Sequence, residues 1–211
     1  MHLAPIIKIV RGYDSTEWEI FISEWQKGLR GYVAVKRLGG AGDHGRDVIG
    51  LCGPQACQGI WDNYQCKHYE TPLSAPKACE DAGKIIFHAF RKQFTPPRKC
   101  VFVAPRGPTT ELRDMLLNPD KFRKEVLETW HVRIAGRVVA GQTHKLEGEL
   151  AIYAQNYDYT SSATRPWMRF WMITARRPIG RHALVGIFRR RRLAGRRRRS
   201  RPERRSMSPN C

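Results

Sequence analysis

Asp47, Gln65 and Lys67 are the residues whose types and spacing best suit catalysis in this chain. Asp47 follows the glycine-rich turn GGAGDHG and opens the apolar run DVIGLC, whereas Gln65 and Lys67 lie two apart in GIWDNYQCKHY. Because successive strand side chains point to opposite faces, Gln65 and Lys67 share one face of a predicted strand. A carboxylate, an amide and an ammonium brought together could bind Mg²⁺ through hard oxygen ligands and place a positive charge beside a phosphoryl group.

The glycine-rich turn differs from a phosphate-binding loop in its charge. Such loops cradle phosphate with backbone N–H groups and a nearby Lys, but this turn carries Asp43 and leads to Asp47, which repel an anion. We therefore expect the turn to reach phosphate through a metal. The plainer alternatives are an ordinary Asp-containing turn and a solvated strand face bearing Gln65 and Lys67.

An amphipathic helix is predicted over 14–30, capped by Asp14 or Ser15, and it could supply a further acid. Its apolar residues recur at spacings of three and four, with Glu19 and Glu24 beside that apolar stripe. Further helices are predicted at Lys77–Phe94, Thr110–Leu117, Pro119–Trp130 and Gly148–Tyr157, and strands in GYVAVKRL, DVIGLC, GIWDNYQCKHY and RKCVFVA. The order of elements predicts an α/β fold with a small central mixed sheet flanked by helices.

The run DHGRD, followed by QCK and preceded by a helix that bears Glu, resembles the Mrr-type restriction endonucleases of the PD-(D/E)XK nuclease superfamily. The resemblance covers about residues 15–105. It implies a restriction-endonuclease-like α-β-β-β-α-β core, here over 14–107. A lead segment would occupy 1–13, a helical extension 108–160, and a disordered Arg-rich tail 161–211.

The resemblance also implies roles for individual residues. Asp47, Gln65, Lys67 and the helical Glu19 would form the catalytic group, with Asp43 and Glu24 as accessory acids. The metal ligands would be Asp47, Glu19 and the backbone carbonyl of Cys66, and the metal would be Mg²⁺ or Mn²⁺. Many members carry an acid where Gln65 stands, so Glu19 becomes the residue that decides whether a metal can be held.

The function implied is a metal-dependent endonuclease that hydrolyses phosphodiester bonds of double-stranded DNA in bacterial defence, as a homodimer or with partner proteins. Arg46, Lys36 and Arg37 would contact the DNA. One alternative is a nuclease-like module that binds DNA or a partner without cutting. Another is a zinc-stabilised domain built on Cys52, Cys57 and Cys66, although these thiols lack the spacing of a zinc knuckle.

The strong positive charge of the chain is concentrated at its C-terminal end. Of a net charge of +19, residues 161–211 hold 16 of the 38 Lys and Arg but one of the 19 Asp and Glu. Such a tail would bind phosphate backbones without sequence preference, and we take as a hypothesis that the end after about Tyr159 is frameshifted or truncated. The sequence shows neither an export signal nor a run long and apolar enough for a bilayer, which predicts a cytoplasmic protein with no membrane partner.

Overall fold

The protein was analysed as a computed structural model that describes residues 8–40 and 42–161. Its main elements, in chain order, are α1 (Ser15–Lys27), β1 (Ala34–Arg37), β2 (Val48–Leu51), β3 (Trp61–Cys66), α2 (Ala75–Phe90), β4 (Lys99–Val103), α3 (Thr110–Leu117), α4 (Pro119–Thr129) and α5 (Gly148–Gln155). Short 3₁₀ segments lie at Ala56–Gln58 and Tyr159–Ser161, and a π-helix lies at Trp130–Ile134. The basic tail predicted for 161–211 falls, beyond Ser161, outside the described residues.

The four strands form one sheet in the order β1-β2-β3-β4. β1 pairs with β2 and β2 with β3 in antiparallel fashion, whereas β3 and β4 run parallel. The parallel pair is joined through α2, because parallel neighbours need a crossover connection rather than a tight turn. The predicted α/β class with a small mixed sheet flanked by helices is thereby confirmed.

Helix α1 covers one face of the sheet. It begins at a capping box in which Asp14 accepts the backbone N–H of Glu17 and Glu17 accepts the backbone N–H of Asp14, so Asp14 is the N-cap. The apolar stripe predicted from the sequence packs against side chains from β2, β3 and β4 in a cluster of buried residues: Val10, Tyr13, Trp18, Phe21, Ile22, Trp25, Val48, Tyr64, Val101 and Val103.

Helix α2 covers the opposite face and carries the larger part of the core. Its apolar side chains pack on Ile49, Leu51, Trp61 and Phe102 of the sheet and on the helices of the C-terminal half. The side chains of β3 that alternate with Tyr64 therefore point toward α2. Trp61 and Trp130 are fully buried in this layer.

Several predicted boundaries are wrong in detail. Helix α2 begins before Lys77 because Pro76 occupies its first turn, where proline is favoured, and it ends at Phe90 rather than Phe94. Phe94, the last residue of the predicted helix, is nonetheless buried in the same core. Lys67 falls one residue beyond β3, although its N–H still donates to the carbonyl of Val103 at 2.9 Å.

The C-terminal helices show the same kind of difference. The helix predicted over Pro119–Trp130 ends at Thr129 and continues as the π-helix Trp130–Ile134, and the helix predicted over Gly148–Tyr157 ends at Gln155. The helix predicted over Thr110–Leu117 has those bounds. No helix within 8–40 or 42–161 combines the length and apolar character required to cross a membrane.

Candidate active site

Asp47, Gln65 and Lys67 meet at one end of the two central strands. Asp47 immediately precedes β2, whose first residue, Val48, pairs with Tyr64 of β3. The Oδ2 atom of Asp47 accepts the backbone N–H of Cys66 at 2.7 Å and lies 3.8 Å from Nζ of Lys67. The three side chains predicted from the sequence therefore share one small region.

The glycine-rich turn before Asp47 is fixed to β3 through the carbonyl of Gly45. This oxygen accepts the side-chain amides of both Asn63 and Gln65, with an Asn63 distance of 3.2 Å. Gly45 has φ +82°, and a Cβ at this position would lie 3.0 Å from Cβ of Lys84 on α2. A residue with a side chain would be strained there and would press on α2, so glycine allows the turn to contact both β3 and α2.

Lys67 lies between two carboxylates. Its Nζ is 3.1 Å from Oδ2 of Asp81 on α2 and 3.8 Å from Oδ2 of Asp47, and its side chain is 14% exposed. Burial alone would lower the pKa of Lys67, but the carboxylates of Asp81 and Asp47 outweigh it and raise the pKa above its ordinary value. Lys67 is therefore held as a buried cation.

Burial also raises the pKa of both acids beside Lys67. It raises the pKa of Asp47 to about 6, against the opposing influence of the Lys67 ammonium and the Cys66 N–H. Burial raises the pKa of Asp81 as well, and Lys67 again opposes the shift. A buried carboxyl with a raised pKa beside a buried ammonium makes this region a candidate functional site.

Glu19 comes from α1, on the other side of the sheet from α2. Its Oε2 is 3.2 Å from Nη1 of Arg37, and a Cβ at Gly39 would come within 2.7 Å of the same oxygen. Burial raises the pKa of the Cys66 thiol, and the charges of Asp47 and Glu19 add to this rise. The structure thus places Glu19 near Cys66 but pairs it with Arg37.

The two residues predicted as accessory acids have local contacts. Oδ1 of Asp43 accepts the N–H of Gly45 at 2.8 Å, which closes the turn in the manner of an Asx turn. Glu24 is paired with Lys27 at 2.7 Å on the surface of α1. Asp43 therefore shapes the turn that delivers Asp47, and Glu24 lies at the surface.

The three predicted DNA contacts differ in how free their charges are. Lys36 is exposed on β1. Arg37 is exposed but paired with Glu19, and Arg46 donates from Nε to the carbonyl of Asp43 at 2.8 Å while its guanidinium lies 4.7 Å from the ring centre of Phe94. Arg46 is thus already held by the turn and Arg37 by Glu19, whereas Lys36 is an exposed cation on β1.

The residues at this edge offer part of a metal site. Among residues 8–40 and 42–161 there is no group of three or more His, Cys, Asp and Glu side chains that could hold a metal ion, which applies equally to the thiols of Cys52, Cys57 and Cys66. Mg²⁺ needs fewer protein ligands, because it keeps several waters and takes one or two carboxylates together with substrate phosphates. Oε1 of Gln65 is buried and no donor among the described residues reaches it. Asp47 and Gln65 therefore offer two oxygens of the type that Mg²⁺ accepts, and the remaining ligands would have to come from water and phosphate.

Two residues of this region escaped the sequence analysis. Asp81 lies on the apolar stripe of α2 between Ala78 and Ile85, and an acid on the buried face of a helix is a signal that it meets a cation. Asn63 shares the face of Gln65 and Lys67 by strand alternation, so its position was available from the same period of two.

Comparisons of the chain with protein-family models, with curated proteins and with solved structures found no match.

Proposed function

We propose that this protein is a Mg²⁺-dependent endonuclease that hydrolyses phosphodiester bonds in double-stranded DNA. The observation that carries the proposal is the convergence of Asp47, Gln65 and Lys67 at one edge of the sheet, with Nζ of Lys67 3.8 Å from the Asp47 carboxylate. Defence against foreign DNA, the cytoplasmic location and a homodimeric or partnered state belong to the same proposal.

The arrangement of the elements supports the restriction-endonuclease-like interpretation of the fold. The chain runs α1-β1-β2-β3-α2-β4, with antiparallel β1, β2 and β3 and a parallel β4. Asp47 stands at the start of β2, and Gln65 and Lys67 stand at the end of β3, which are the positions expected for the acid and for the Q-x-K pair. A likeness in both topology and residue placement is a stronger argument than either alone.

Each side chain has a distinct role in this proposal. The Lys67 ammonium, held in a mostly buried site, stabilises negative charge that develops on the phosphoryl oxygens in the transition state. Asp47 is kept in place by the Cys66 N–H at 2.7 Å, and it presents its carboxylate beside that ammonium. Gln65 is fixed through its amide nitrogen on the Gly45 carbonyl, and its buried Oε1 has no hydrogen-bond donor among the described residues, so this oxygen would be the metal ligand.

Asp47 and Gln65 would hold Mg²⁺, and Glu19 would join them if its carboxylate left Arg37. The metal would lower the pKa of a bound water and offset charge on the phosphate. In the arrangement observed here Glu19 is 19% exposed and paired, so its contribution depends on a rearrangement of one ion pair at the surface of α1.

A second candidate is a module with this fold that binds DNA without cutting it. The observation in its favour is the Glu19–Arg37 pair at 3.2 Å, which withholds an acid from the proposed metal. Such a module would bind DNA in a salt-dependent manner through Lys36 and neighbouring cations, with no need for Mg²⁺.

Cleavage of supercoiled plasmid by the full chain, with Mg²⁺ or with EDTA, tests the proposal. We expect Mg²⁺-dependent nicking that is lost in Asp47→Asn and reduced in Glu19→Gln. Glu24→Gln is the matched control, because Glu24 lies on the same helix but is paired with Lys27 at the surface. It should nick like the wild type.

The two candidates give different results in the same experiment. If the wild type binds plasmid in a mobility-shift assay but does not nick it with Mg²⁺ or Mn²⁺, the protein is a DNA-binding module and the endonuclease proposal fails. If Glu19→Gln and Glu24→Gln nick equally well, Glu19 has no part in metal binding.

A further inference from the structure

Asp81 is buried in a way that the packing of α2 does not explain. It is 7% exposed and shares its helix face with Ala78, Ala82 and Ile85, which pack into the main core. An ionised carboxylate is costly to bury unless it is paired. Apolar residues of similar volume often replace buried ion pairs without loss of stability, so the fold itself gives little reason for an acid at this position.

The contact that Asp81 makes is with Lys67, at 3.1 Å between Oδ2 and Nζ. A lysine side chain has four flexible torsions and, without an anchor, extends its ammonium toward water. Lys67 instead keeps its ammonium in the interior, just beyond the end of β3, with the Asp47 carboxylate 3.8 Å away. The shorter of the two distances is to Asp81, so Asp81 is the closer anchor.

We propose that Asp81 is a positioning residue that holds the Lys67 ammonium beside Asp47, so that Lys67 is already in place when the substrate phosphate arrives. The inference rests on the proposed nuclease function for its kinetic consequence, but the anchoring of Lys67 is a property of the folded protein alone. Asp81 lies on α2 and makes its contribution through Lys67.

The anchor has a specific consequence for catalysis. Because Lys67 is held before substrate arrives, no side-chain ordering is needed when DNA binds, and a displacement of about 1 Å in a reacting group can lower a rate roughly 10²-fold. Removal of the anchor should therefore lower kcat, whereas KM and the affinity for DNA, which depend on surface cations, should stay unchanged.

The test compares Asp81→Ala and Asp81→Asn with Glu80→Ala. Asn retains an oxygen that can accept a hydrogen bond from Nζ, whereas Ala removes it. Glu80 is the neighbouring acid on α2 and pairs with Lys77 and Arg137 instead, so its removal disturbs the helix without touching Lys67.

Two readouts decide the matter. The first is the ¹H–¹⁵N signal of the Lys67 NH₃⁺ group in the full chain at one fixed pH, assigned by its loss in Lys67→Arg; slow exchange with water makes such a signal visible only for a held ammonium. We expect this signal in the wild type, Asp81→Asn and Glu80→Ala, and its disappearance in Asp81→Ala. The second is plasmid cleavage, where Asp81→Ala should lose about 10²-fold in kcat at unchanged KM.

A double substitution separates positioning from a general effect on the fold. In a Lys67→Met background, Asp81→Ala should cause no further loss of cleavage, because the group that it positions is gone. An unchanged Lys67 signal in a folded Asp81→Ala variant would overturn the inference. If the wild type cuts no DNA but the Lys67 signal is lost only in Asp81→Ala, the anchoring stands and the nuclease proposal falls.

Discussion

The sheet carries a buried polar cluster on each of its two faces, and the two clusters differ in how completely their groups are paired. On the α1 side, the 1% exposed carboxylate of Asp62 accepts two hydrogen bonds from Arg98, at 2.9 and 2.7 Å, and one from the hydroxyl of Tyr32 at 2.6 Å. The Tyr32 hydroxyl also lies 2.8 Å from that of Tyr64. This cluster is typical of a structural network, in which every member has its partners.

On the α2 side, the cluster around Asp47 is incompletely paired. Among the described residues no donor reaches Oδ1 of Asn63 or Oε1 of Gln65, although both atoms are buried. The Asp47 carboxylate has a pKa raised to about 6, chiefly by burial. Unpaired buried oxygens and a carboxylate whose pKa is raised by burial reduce stability, whereas both oxygens of the Asp62 carboxylate are paired. The side-chain amide of Gln26 on α1 is also buried without a partner among the described residues, so it is the raised pKa of Asp47 together with the unpaired oxygens that distinguishes the Asp47 cluster.

Removal of Arg98 should lower stability the most, because it leaves the Asp62 carboxylate with one hydrogen bond, from Tyr32. We expect Arg98→Ala to lower the free energy of unfolding by about 2 to 3 kcal/mol, less than for a fully buried pair, because the Arg98 side chain is 48% exposed and water can reach Asp62 once it is removed. Urea denaturation at neutral pH measures it. The double variant Arg98→Ala/Asp62→Asn should recover part of the lost stability. If the double variant and Arg98→Ala alone lose the same free energy of unfolding, the unpaired Asp62 carboxylate is not the cause of the loss.

Asp47→Asn should have the opposite sign and raise stability at neutral pH. The pKa of Asp47 is higher in the folded protein, at about 6, than its ordinary value of 3.8. Between about pH 4 and pH 6 the folded protein therefore keeps this proton more readily than the unfolded chain does. The contribution of this carboxyl to the free energy of unfolding is highest below about pH 4 and falls as the pH rises through 6. Since one pKa unit corresponds to about 1.4 kcal/mol, the charged Asp47 destabilises the fold by roughly 2 to 3 kcal/mol at pH 7.5.

The measurement is urea denaturation of wild type and Asp47→Asn at pH 7.5 and at pH 4. Asn keeps an oxygen that can accept the Cys66 N–H, so the gain should appear at pH 7.5 and shrink toward zero at pH 4. A variant that is less stable than the wild type at both values would mean that Asp47 is a stabilising ion-pair partner, like Asp62.

A smaller effect distinguishes two glycines of the turn that precedes Asp47. Gly42 and Gly45 both have positive φ, but space is open around Gly42, whereas a Cβ at Gly45 would lie 3.0 Å from Cβ of Lys84. Both alanine substitutions should cost about 1 kcal/mol through the backbone, and Gly45→Ala should cost about 1 kcal/mol more through its contact with α2. If Gly42→Ala and Gly45→Ala lower the melting temperature equally, the alanine at position 45 does not press on α2.

Much of this comparison was predictable from local pattern. Strand alternation places Gln65 and Lys67 on one face, and the apolar spacing of α1 together with Asp14 predicts that helix and its start. The ion pairs between the sheet and its covering helices were not predictable. Asp81 reaches Lys67 only because of the way in which the crossover helix α2 packs against β3. For the same reason the sequence could not show that Arg37 would pair with Glu19.

The Asp62 cluster illustrates the limit more clearly. Asp62 lies in the same strand as Gln65, in the run WDNYQCK that also contains Lys67, and a carboxylate at this position would suit catalysis as well as that of Asp47. Its pairing depends on Tyr32 and Arg98, which donate hydrogen bonds to it and lie 30 and 36 positions away in the sequence. Long-range partners of this kind have no local signature, so three-dimensional structure was needed to distinguish the fully paired Asp62 from Asp47, the acid proposed for catalysis.

The central claim is that the incompletely paired cluster, with Lys67 as its held cation, performs phosphodiester hydrolysis. The most direct test is Mg²⁺-dependent nicking of plasmid by Lys67→Met and by Arg98→Ala. The nicking rate of each variant is divided by its folded fraction and compared with that of the wild type. We predict that Lys67→Met loses roughly 10²- to 10³-fold or more in rate while it still binds DNA, and that Arg98→Ala keeps the wild-type rate. Nicking by Lys67→Met at the wild-type rate would contradict the account.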